Sequence, residues 1–180
     1  MRLKKLKNKI FILVFLACTL AIFSITLVHA LFPIKLYNDV KFVCDKTQVP
    51  PYLVLAIIKT ESSFSSEKVS TKGAKGLMQI MPETADYVSE LYFSGRDIDL
   101  ANDKDNILIG VTYLIYLFDK FEDKKTVLAA YNAGEGRVLE WLDNKDFSLD
   151  GKTLCNIPYK ETHEYVEKVI HREKIYNLLY

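Results

Sequence analysis

Apolar residues recur every three to four positions through most of this chain, a spacing typical of helices that bury one face. The pattern after residue 33 predicts six helices, at about residues 36–47, 51–62, 83–92, 103–118, 124–132 and 160–179. Residues 70–80 and 143–157 lack this spacing, and Gly136 precedes a predicted short turn to Leu142. The chain is therefore predicted to form one compact, mainly α domain.

Several of these helices have recognisable ends. Pro50 and Pro51 open the second helix, where the missing N–H of proline costs nothing. Asp103 or Asp105 is expected to cap the fourth helix, and Gly134 closes the fifth. The fourth helix has a predicted apolar face made of Ile107, Leu108, Val111, Leu114, Ile115 and Phe118.

Residues 10–32 form one apolar segment of 23 residues without Lys, Arg, Asp or Glu. As a helix it would be roughly 34 Å long, which matches the hydrocarbon core of a bilayer. A cleavable signal peptide is the alternative, because Val28-His29-Ala30 is an acceptable cleavage site, but its apolar core is usually shorter. We therefore predict a transmembrane signal-anchor at 10–32.

The charges around this segment predict its orientation. Five basic residues precede it, at Arg2, Lys4, Lys5, Lys7 and Lys9. Positive residues stay on the cytoplasmic side of a membrane helix, which predicts a cytoplasmic segment at 1–9 and an extracytoplasmic domain at 33–180. The residues after the first nine have a net charge of −4, so they offer no basic surface for nucleic acid.

The cysteines and histidines indicate neither a required disulfide nor a metal site. Cys44 and Cys155 lie in the predicted extracytoplasmic part, where a disulfide is permitted. We favour two buried free thiols, because a helical domain of this size does not need a disulfide. His163 and His171 lie eight residues apart without the neighbours typical of a zinc site, so no metal is predicted.

Three separate blocks could contain an active site. The second helix is apolar until it ends near Glu61, an acid with no basic residue obviously placed to pair with it. The glycine-containing stretch ESSFSSEKVSTKGAKGLMQIM follows at 61–81, and the blocks AAYNAGEGR and IPYKETHEY come later. Candidate side chains in the three blocks, besides Glu61, are Ser70, Gln79, Met81, Tyr131, Asn132, Glu161 and Tyr165.

Taken together, the blocks resemble the catalytic domain of soluble-type lytic transglycosylases, which is related in fold to goose-type lysozyme. The matching residues are Glu61-Ser62 with Ser70-x-x-Gly-Ala-x-Gly-Leu-Met-Gln-Ile-Met81, then Ala-Tyr-Asn-Ala-Gly at 130–134, then Ile-Pro-x-x-Glu-Thr at 157–162. The resemblance covers roughly residues 36–178. It implies a compact, lysozyme-like helical domain after the single transmembrane helix.

The resemblance also implies an activity. Glu61 matches the single catalytic acid, which protonates the leaving oxygen of the β-1,4 bond between N-acetylmuramic acid and N-acetylglucosamine. The same residue then acts as a base towards the 6-hydroxyl of the muramic acid, which gives a 1,6-anhydro product. The residues that match the sugar groove and its supports are Ser70, Gln79, Met81, Tyr131, Asn132, Glu161 and Tyr165. The implied partner is the peptidoglycan glycan strand, bound by a monomer without cofactor.

An acid with this role must hold its proton near neutral pH. Burial raises the pKa of a carboxyl group, whereas a nearby cation lowers it. The apolar residues before Glu61 favour burial, and Lys59, two residues away on the helix, is expected to point elsewhere. We therefore expect Glu61 to be partly buried, with a raised pKa and no lysine beside it.

Two alternatives stay open at this point. A goose-type hydrolase would cleave the same bond with water and would need a second carboxylate, for which Glu67, Glu83 and Asp86 are candidates. A non-catalytic module could bind peptidoglycan as a scaffold, although the presence of Glu61 and of the Tyr-Asn pair argues against it. A third alternative, a helical export factor without glycan contact, is disfavoured because it would leave all three blocks unexplained.

Overall fold

The computed structural model describes residues 2–45 and 47–180, which divide into two compact units at about Lys35. The first unit contains helix α1 (Arg2–Leu31). Its part Lys7–Leu31 is long and apolar enough to cross a membrane, a test that a signal sequence near the N-terminus also passes. For the predicted segment 1–9, position 1 and the side chains of 2–6 lie outside the described residues. The anchor and its orientation therefore stay predictions.

The second unit is helical, which confirms the mainly α fold predicted from the apolar pattern. Its helices are α2 (Tyr37–Cys44), α3 (Pro51–Glu61), α4 (Pro82–Phe93), α5 (Asp103–Lys120), α6 (Lys124–Ala133), α7 (Glu135–Leu142) and α8 (Lys160–Leu179). Residues 143–157 are irregular, as predicted. In the described part of the chain, extended pairing is limited to two isolated bridges, Val69 with Lys75 and Lys75 with Ile80.

Two predicted helix boundaries were wrong. The N-cap of α5 is Asn102 rather than Asp103 or Asp105, because its side chain accepts hydrogen bonds from the backbone N–H groups of Lys104 and Asp105. The helix predicted at 36–47 ends at Cys44, and its predicted end includes residue 46, which lies outside the described residues.

The predicted short turn between Gly136 and Leu142 is a helix, α7. Gly134 ends α6 with φ of 90° and is also the residue that precedes the first turn of α7. A left-handed φ is available to glycine at little cost, so one residue joins the two helices and no longer turn is needed. Ala133 and Gly134, at this junction, also line the cleft of the candidate site.

Helix α5 lies at the centre of the domain and packs against α2, α4 and α6. Of the predicted apolar face, Ile107, Val111 and Leu114 are buried, whereas Leu108, Ile115 and Phe118 are half-buried. Burial also includes Ile109, Gly110, Thr112 and Leu117. Gly110 lets the side chain of Met78 approach closely, because a Cβ atom at this position would lie 2.3 Å from the sulfur of Met78 and would force that side chain to move.

The cysteines are free, as favoured from the sequence, but they differ in environment. Cys44 is buried and Cys155 is exposed. The expectation that both thiols are buried was therefore wrong for Cys155, which lies in the irregular segment 143–157 and not on a packed helix face.

Candidate active site

Helix α3 brings Glu61 to the edge of the core. All six residues from Leu53 to Ile58 are fully buried, and the helix ends one turn later at Glu61, which is half-buried. The chain then turns sharply through Ser63 and Phe64, with φ of 53° and 68°. Two consecutive non-glycine residues in the left-handed region are unfavourable, and such conformations concentrate at functional sites.

The pKa of the Glu61 carboxyl is raised to about 7. The main cause is burial, which disfavours the charged form. The expectation of a partly buried acid with a raised pKa is confirmed. A carboxyl group with this pKa is partly protonated at neutral pH and can donate a proton to a bound ligand.

The expectation that no lysine lies beside Glu61 was wrong. The ammonium group of Lys68 donates a hydrogen bond to the backbone carbonyl of Glu61, and its charge lowers the pKa of the carboxyl. Lys68 is near Glu61 in sequence, but it reaches the helix end only because the chain turns back through residues 62–67. Burial outweighs the lysine, and the net shift is upward.

Two tyrosines adjoin the Glu61 carboxyl from other helices. Tyr165 of α8 is buried, and its hydroxyl faces Glu61 closely enough to lower the pKa of the acid by hydrogen bonding. Among the described residues this hydroxyl has no partner at normal hydrogen-bond geometry, so the contact with Glu61 is a loose one. Burial and then the Glu61 charge raise the pKa of Tyr165 well above its usual value.

Tyr131 of α6 completes this group. Its hydroxyl donates a hydrogen bond of 2.8 Å to the carbonyl of Met78. Burial, followed by the charge of Glu61, raises its pKa well above the usual value. Three residues from three sequence blocks, Glu61, Tyr131 and Tyr165, therefore share one site.

The loop of residues 62–81, called here the site loop, is held by its own polar groups. Gln79 has a φ of 50°, and its side-chain nitrogen donates hydrogen bonds of 2.9 Å to the carbonyls of Lys68 and Gly76. These bonds leave the amide oxygen available to a ligand. Ser70 is used internally, because its hydroxyl accepts a 3.0 Å hydrogen bond from the N–H of Ala74.

Asn106 of α5 connects the site loop to the core and was not predicted as important. Its side-chain oxygen accepts a 2.8 Å hydrogen bond from the N–H of Met78, and its nitrogen donates 3.0 Å bonds to the carbonyls of Lys75 and Leu100. Gly76 must be glycine for this contact, because a Cβ atom there would lie 2.2 Å from the Asn106 nitrogen. The sequence signal was an asparagine within an otherwise apolar helix face.

A cleft of about 290 Å³ opens between the site loop, α4, α5 and α6. Its lining residues are Lys72, Gln79, Ile80, Met81, Thr84, Tyr113, Tyr131, Asn132, Ala133 and Gly134. Four of the predicted site residues line it, namely Gln79, Met81, Tyr131 and Asn132. Glu61 and Tyr165 adjoin it through Tyr131.

Other predicted residues lie outside the cleft wall. Glu161 is exposed at the first turn of α8, and Ser70 supports the site loop. Lys72, Thr84 and Tyr113 line the cleft without having been predicted. For Tyr113 the available signal was a polar aromatic residue on α5 outside its predicted apolar face.

Carboxylates are absent from the residues that line this cleft. The candidates for a second acid, Glu67, Glu83 and Asp86, are all exposed, and Asp86 lines a different cavity. Two larger cavities, of about 500 and 560 Å³, contain none of the predicted site residues, so size alone would indicate the wrong place. Within residues 2–45 and 47–180, no group of three or more metal-ligating side chains is present.

Comparison with known proteins adds a family assignment for most of the domain. The family model of the transglycosylase SLT domain matches residues 40–153. The soluble lytic murein transglycosylase of Escherichia coli K12 is 36% identical over 152 residues, which are 81% of this chain and 23% of the relative. The membrane-bound lytic murein transglycosylase C of Histophilus somni strain 2336 is 32% identical over 160 residues, 71% of this chain and 42% of the relative.

The fold is similar to a solved structure as well. The crystal structure of the 70 kDa soluble lytic transglycosylase from Escherichia coli has a TM-score of 0.74 and 30% sequence identity over 84% of this chain. The match covers 25% of that chain, so the present chain spans about a quarter of the length of these soluble relatives.

Proposed function

Because this chain belongs to the transglycosylase SLT family, we propose that it is a peptidoglycan lytic transglycosylase. Glu61 protonates the oxygen that leaves the β-1,4 bond between N-acetylmuramic acid and N-acetylglucosamine. Its carboxylate then accepts the proton of the muramic acid 6-hydroxyl as that oxygen bonds to the anomeric carbon. The products are a 1,6-anhydromuramic end and a free 4-hydroxyl, so the reaction is balanced without water.

The observation behind this proposal is a single half-buried acid, with a pKa of about 7, beside a cleft that no second carboxylate lines. Most glycosidases use two carboxylates, of which the second activates water or attacks the sugar. An internal hydroxyl replaces that second group. A well-aligned intramolecular nucleophile lowers the barrier by up to roughly 7–11 kcal/mol, so one acid is sufficient.

The other cleft residues bind and orient the muramic acid in this scheme. The amide oxygen of Gln79 and the side chain of Asn132 offer hydrogen bonds to the sugar's hydroxyl and N-acetyl groups. Tyr131 and Tyr165 lie beside the carboxyl of Glu61 and contribute to its partial burial. Met81 supplies apolar surface, while Ser70 acts through the site loop and Glu161 supports the start of α8.

Product masses test the reaction type. The purified full-length chain in detergent is expected to release from isolated peptidoglycan muropeptides that end in 1,6-anhydromuramic acid. These are lighter by one water than the products of hydrolysis, which mass spectrometry resolves. Reducing-end products alone would replace the proposal with the hydrolase, and no released product would favour the scaffold.

The activity is expected to decrease as the pH rises through about 7. The reason is that the first step needs Glu61 protonated, and burial raises the pKa of this carboxyl to about 7. The measurement is kcat/KM for a defined muropeptide oligomer between pH 5 and 9. Lys68→Met should move the decrease to higher pH, because the lysine charge lowers the pKa of Glu61. A profile that is flat across this range, or unaffected by Lys68→Met, would contradict this assignment.

We also propose that α1 anchors the protein in the membrane, with its basic end in the cytoplasm and the helical domain outside. The support is the apolar part Lys7–Leu31 and the basic residues before it. After expression in bacteria, the chain should remain in the membrane fraction through an alkaline wash and be digested by protease added to spheroplasts. Release of a shortened, soluble domain would instead identify the segment as a cleaved signal peptide.

A further inference from the structure

A row of tyrosines leads away from the candidate active site. Tyr131, beside Glu61, lies 5.7 Å from the ring of Tyr113. Tyr113 stacks on Tyr116 one turn along α5, with ring centroids 6.2 Å apart and 13° between planes. Tyr116 in turn contacts Tyr87 of α4 edge to face, at 5.7 Å. Neighbouring rings therefore connect the acid to the outer surface of the domain.

The row begins inside the cleft and ends on an open surface. Tyr131 and Tyr113 line the cleft, whereas Tyr87 is 46% exposed. Helix α4 also connects the cleft to this surface, because Thr84 lines the cleft and Tyr87 is three residues later on the same face of the helix. The surface around Tyr87 and Tyr116 is thus a continuation of the cleft.

The polar groups of this surface are already oriented. The hydroxyls of Tyr87 and Tyr116 are 3.3 Å apart. Burial, followed by the nearby carboxylate of Glu135, which comes directly after the cleft residue Gly134, raises the pKa of Tyr116. Lys120 pairs with Glu135 and lies 5.8 Å from the centre of the Tyr116 ring. These contacts occupy Tyr116 on several sides, so its part is to hold Tyr87, whose ring is available to a ligand.

An exposed, fixed aromatic ring beside hydroxyl and charged groups suits a saccharide. The C–H groups on one face of a pyranose ring carry partial positive charge and pack against the negative face of an aromatic ring. Tyrosine supplies this surface at a small entropic cost because it has only two side-chain torsions. A core contact would instead bury Tyr87, and nearly half of it is exposed.

We propose that Tyr87, positioned by Tyr116, forms an additional saccharide-binding site that continues the cleft and binds glycan residues beyond those next to Glu61. This inference rests on the proposed function, since it requires a glycan strand in the cleft. It predicts that the protein binds long strands better than short ones, and that the difference depends on the ring of Tyr87.

The test compares oligomers of different length on a chain that cannot cleave them. The full-length Glu61→Gln chain in detergent is titrated calorimetrically with the trimer and the hexamer of β-1,4-linked N-acetylglucosamine. The hexamer is expected to bind about five- to tenfold more tightly than the trimer. Adding Tyr87→Ala to the Glu61→Gln chain should remove this gain. The Kd for the trimer should stay within about twofold of that of the Glu61→Gln chain.

Two matched variants separate the ring from other effects. Tyr87→Phe keeps the ring and loses the hydroxyl contact with Tyr116, so most of the gain should remain. Tyr92→Ala removes a tyrosine of the same helix with nearly equal exposure, 45%, and should leave the gain unchanged. Equal loss with Tyr92→Ala would mean that the effect is not specific to this site.

Other outcomes overturn the inference in distinguishable ways. A hexamer gain that survives Tyr87→Ala, or no gain in the parent chain, contradicts the additional site and leaves the product-mass result untouched. If Tyr87→Ala weakens the binding of free stem peptide but leaves the hexamer gain unchanged, the surface binds peptide and the saccharide site is rejected. Failure of the proposed function would appear instead as absent anhydro products from the unmodified chain.

Discussion

Replacing Glu61 by glutamine is expected to reduce the release of anhydromuropeptides by about a thousandfold or more, which in most assays is complete loss. Glutamine has the same shape but can neither donate the proton to the leaving oxygen nor accept one from the 6-hydroxyl. The residues that line the cleft beside Glu61 include no acid that could replace it. The measurement is the initial rate of product release from isolated peptidoglycan, with products identified by mass.

The same substitution should leave the fold intact. The Glu61 carboxyl has a higher pKa in the folded protein than in the unfolded chain, where it is ordinary, so its burial destabilises the protein increasingly as the pH rises from about 4.5 to 7. Glu61→Gln removes this cost, and stability at pH 8 should be equal or greater. The single tryptophan, Trp141, is buried in the helical domain and reports its unfolding.

Glu67→Gln is the matched control for this prediction. Glu67 is an exposed glutamate of the site loop, six residues after Glu61, and it was a candidate second acid for hydrolysis. Activity within about twofold of the unmodified chain is expected, because the proposed mechanism gives it no part. Retained activity in Glu61→Gln, or its loss in Glu67→Gln, would reject the assignment of Glu61 as the sole acid.

Replacing Asn106 by alanine is expected to lower the free energy of unfolding by about 2–4 kcal/mol. The change leaves the N–H of Met78 and the carbonyl of Leu100 without this partner, and it leaves the carbonyl of Lys75 with only the N–H of Ile80. Asn106 itself is 1% exposed, so water replaces these hydrogen bonds poorly. Urea unfolding followed by Trp141 fluorescence gives the value.

Activity should fall in Asn106→Ala as well, at temperatures where the chain is still folded. The reason is that Met78, which Asn106 holds through its N–H, accepts the Tyr131 hydroxyl through its carbonyl. Asn102→Ala, at the exposed N-cap of the same helix, is the control and should cost about 1 kcal/mol with little loss of activity. Equal effects of the two substitutions would show that the buried hydrogen bonds of Asn106 contribute no more to stability and activity than an exposed N-cap does.

The sequence predicted the helices well because they depend on local pattern. The helices α3, α4, α6 and α8 begin and end within one or two residues of the predicted positions. Their ends carry prolines, a C-terminal glycine or a change in apolar spacing, all of which are visible within a few residues. The predictions that were wrong are the N-cap at Asn102, where two aspartates follow within three residues, the end of the first helix at Cys44, and the short turn that is helix α7.

The contacts around Glu61 could not be predicted in the same way. Lys68 is seven residues from the acid and reaches it only because the chain turns through Ser63 and Phe64. Tyr165 is more than a hundred residues away and meets Glu61 only because α8 packs beside the end of α3. Separation along the chain gives no distance in space, so pattern alone left open which charged and polar groups surround the acid.

The helical class, the apolar N-terminal segment and the three blocks that contain Glu61, Tyr131 and Tyr165 could thus be predicted from the residues alone. These follow from periodicity, charge and local motifs. The partial burial of the acid, its pKa of about 7 and the absence of carboxylates from the cleft lining depend on how the helices pack in three dimensions. Burial and electrostatics depend on every group within a few ångströms of the carboxyl, and those groups come from distant parts of the chain.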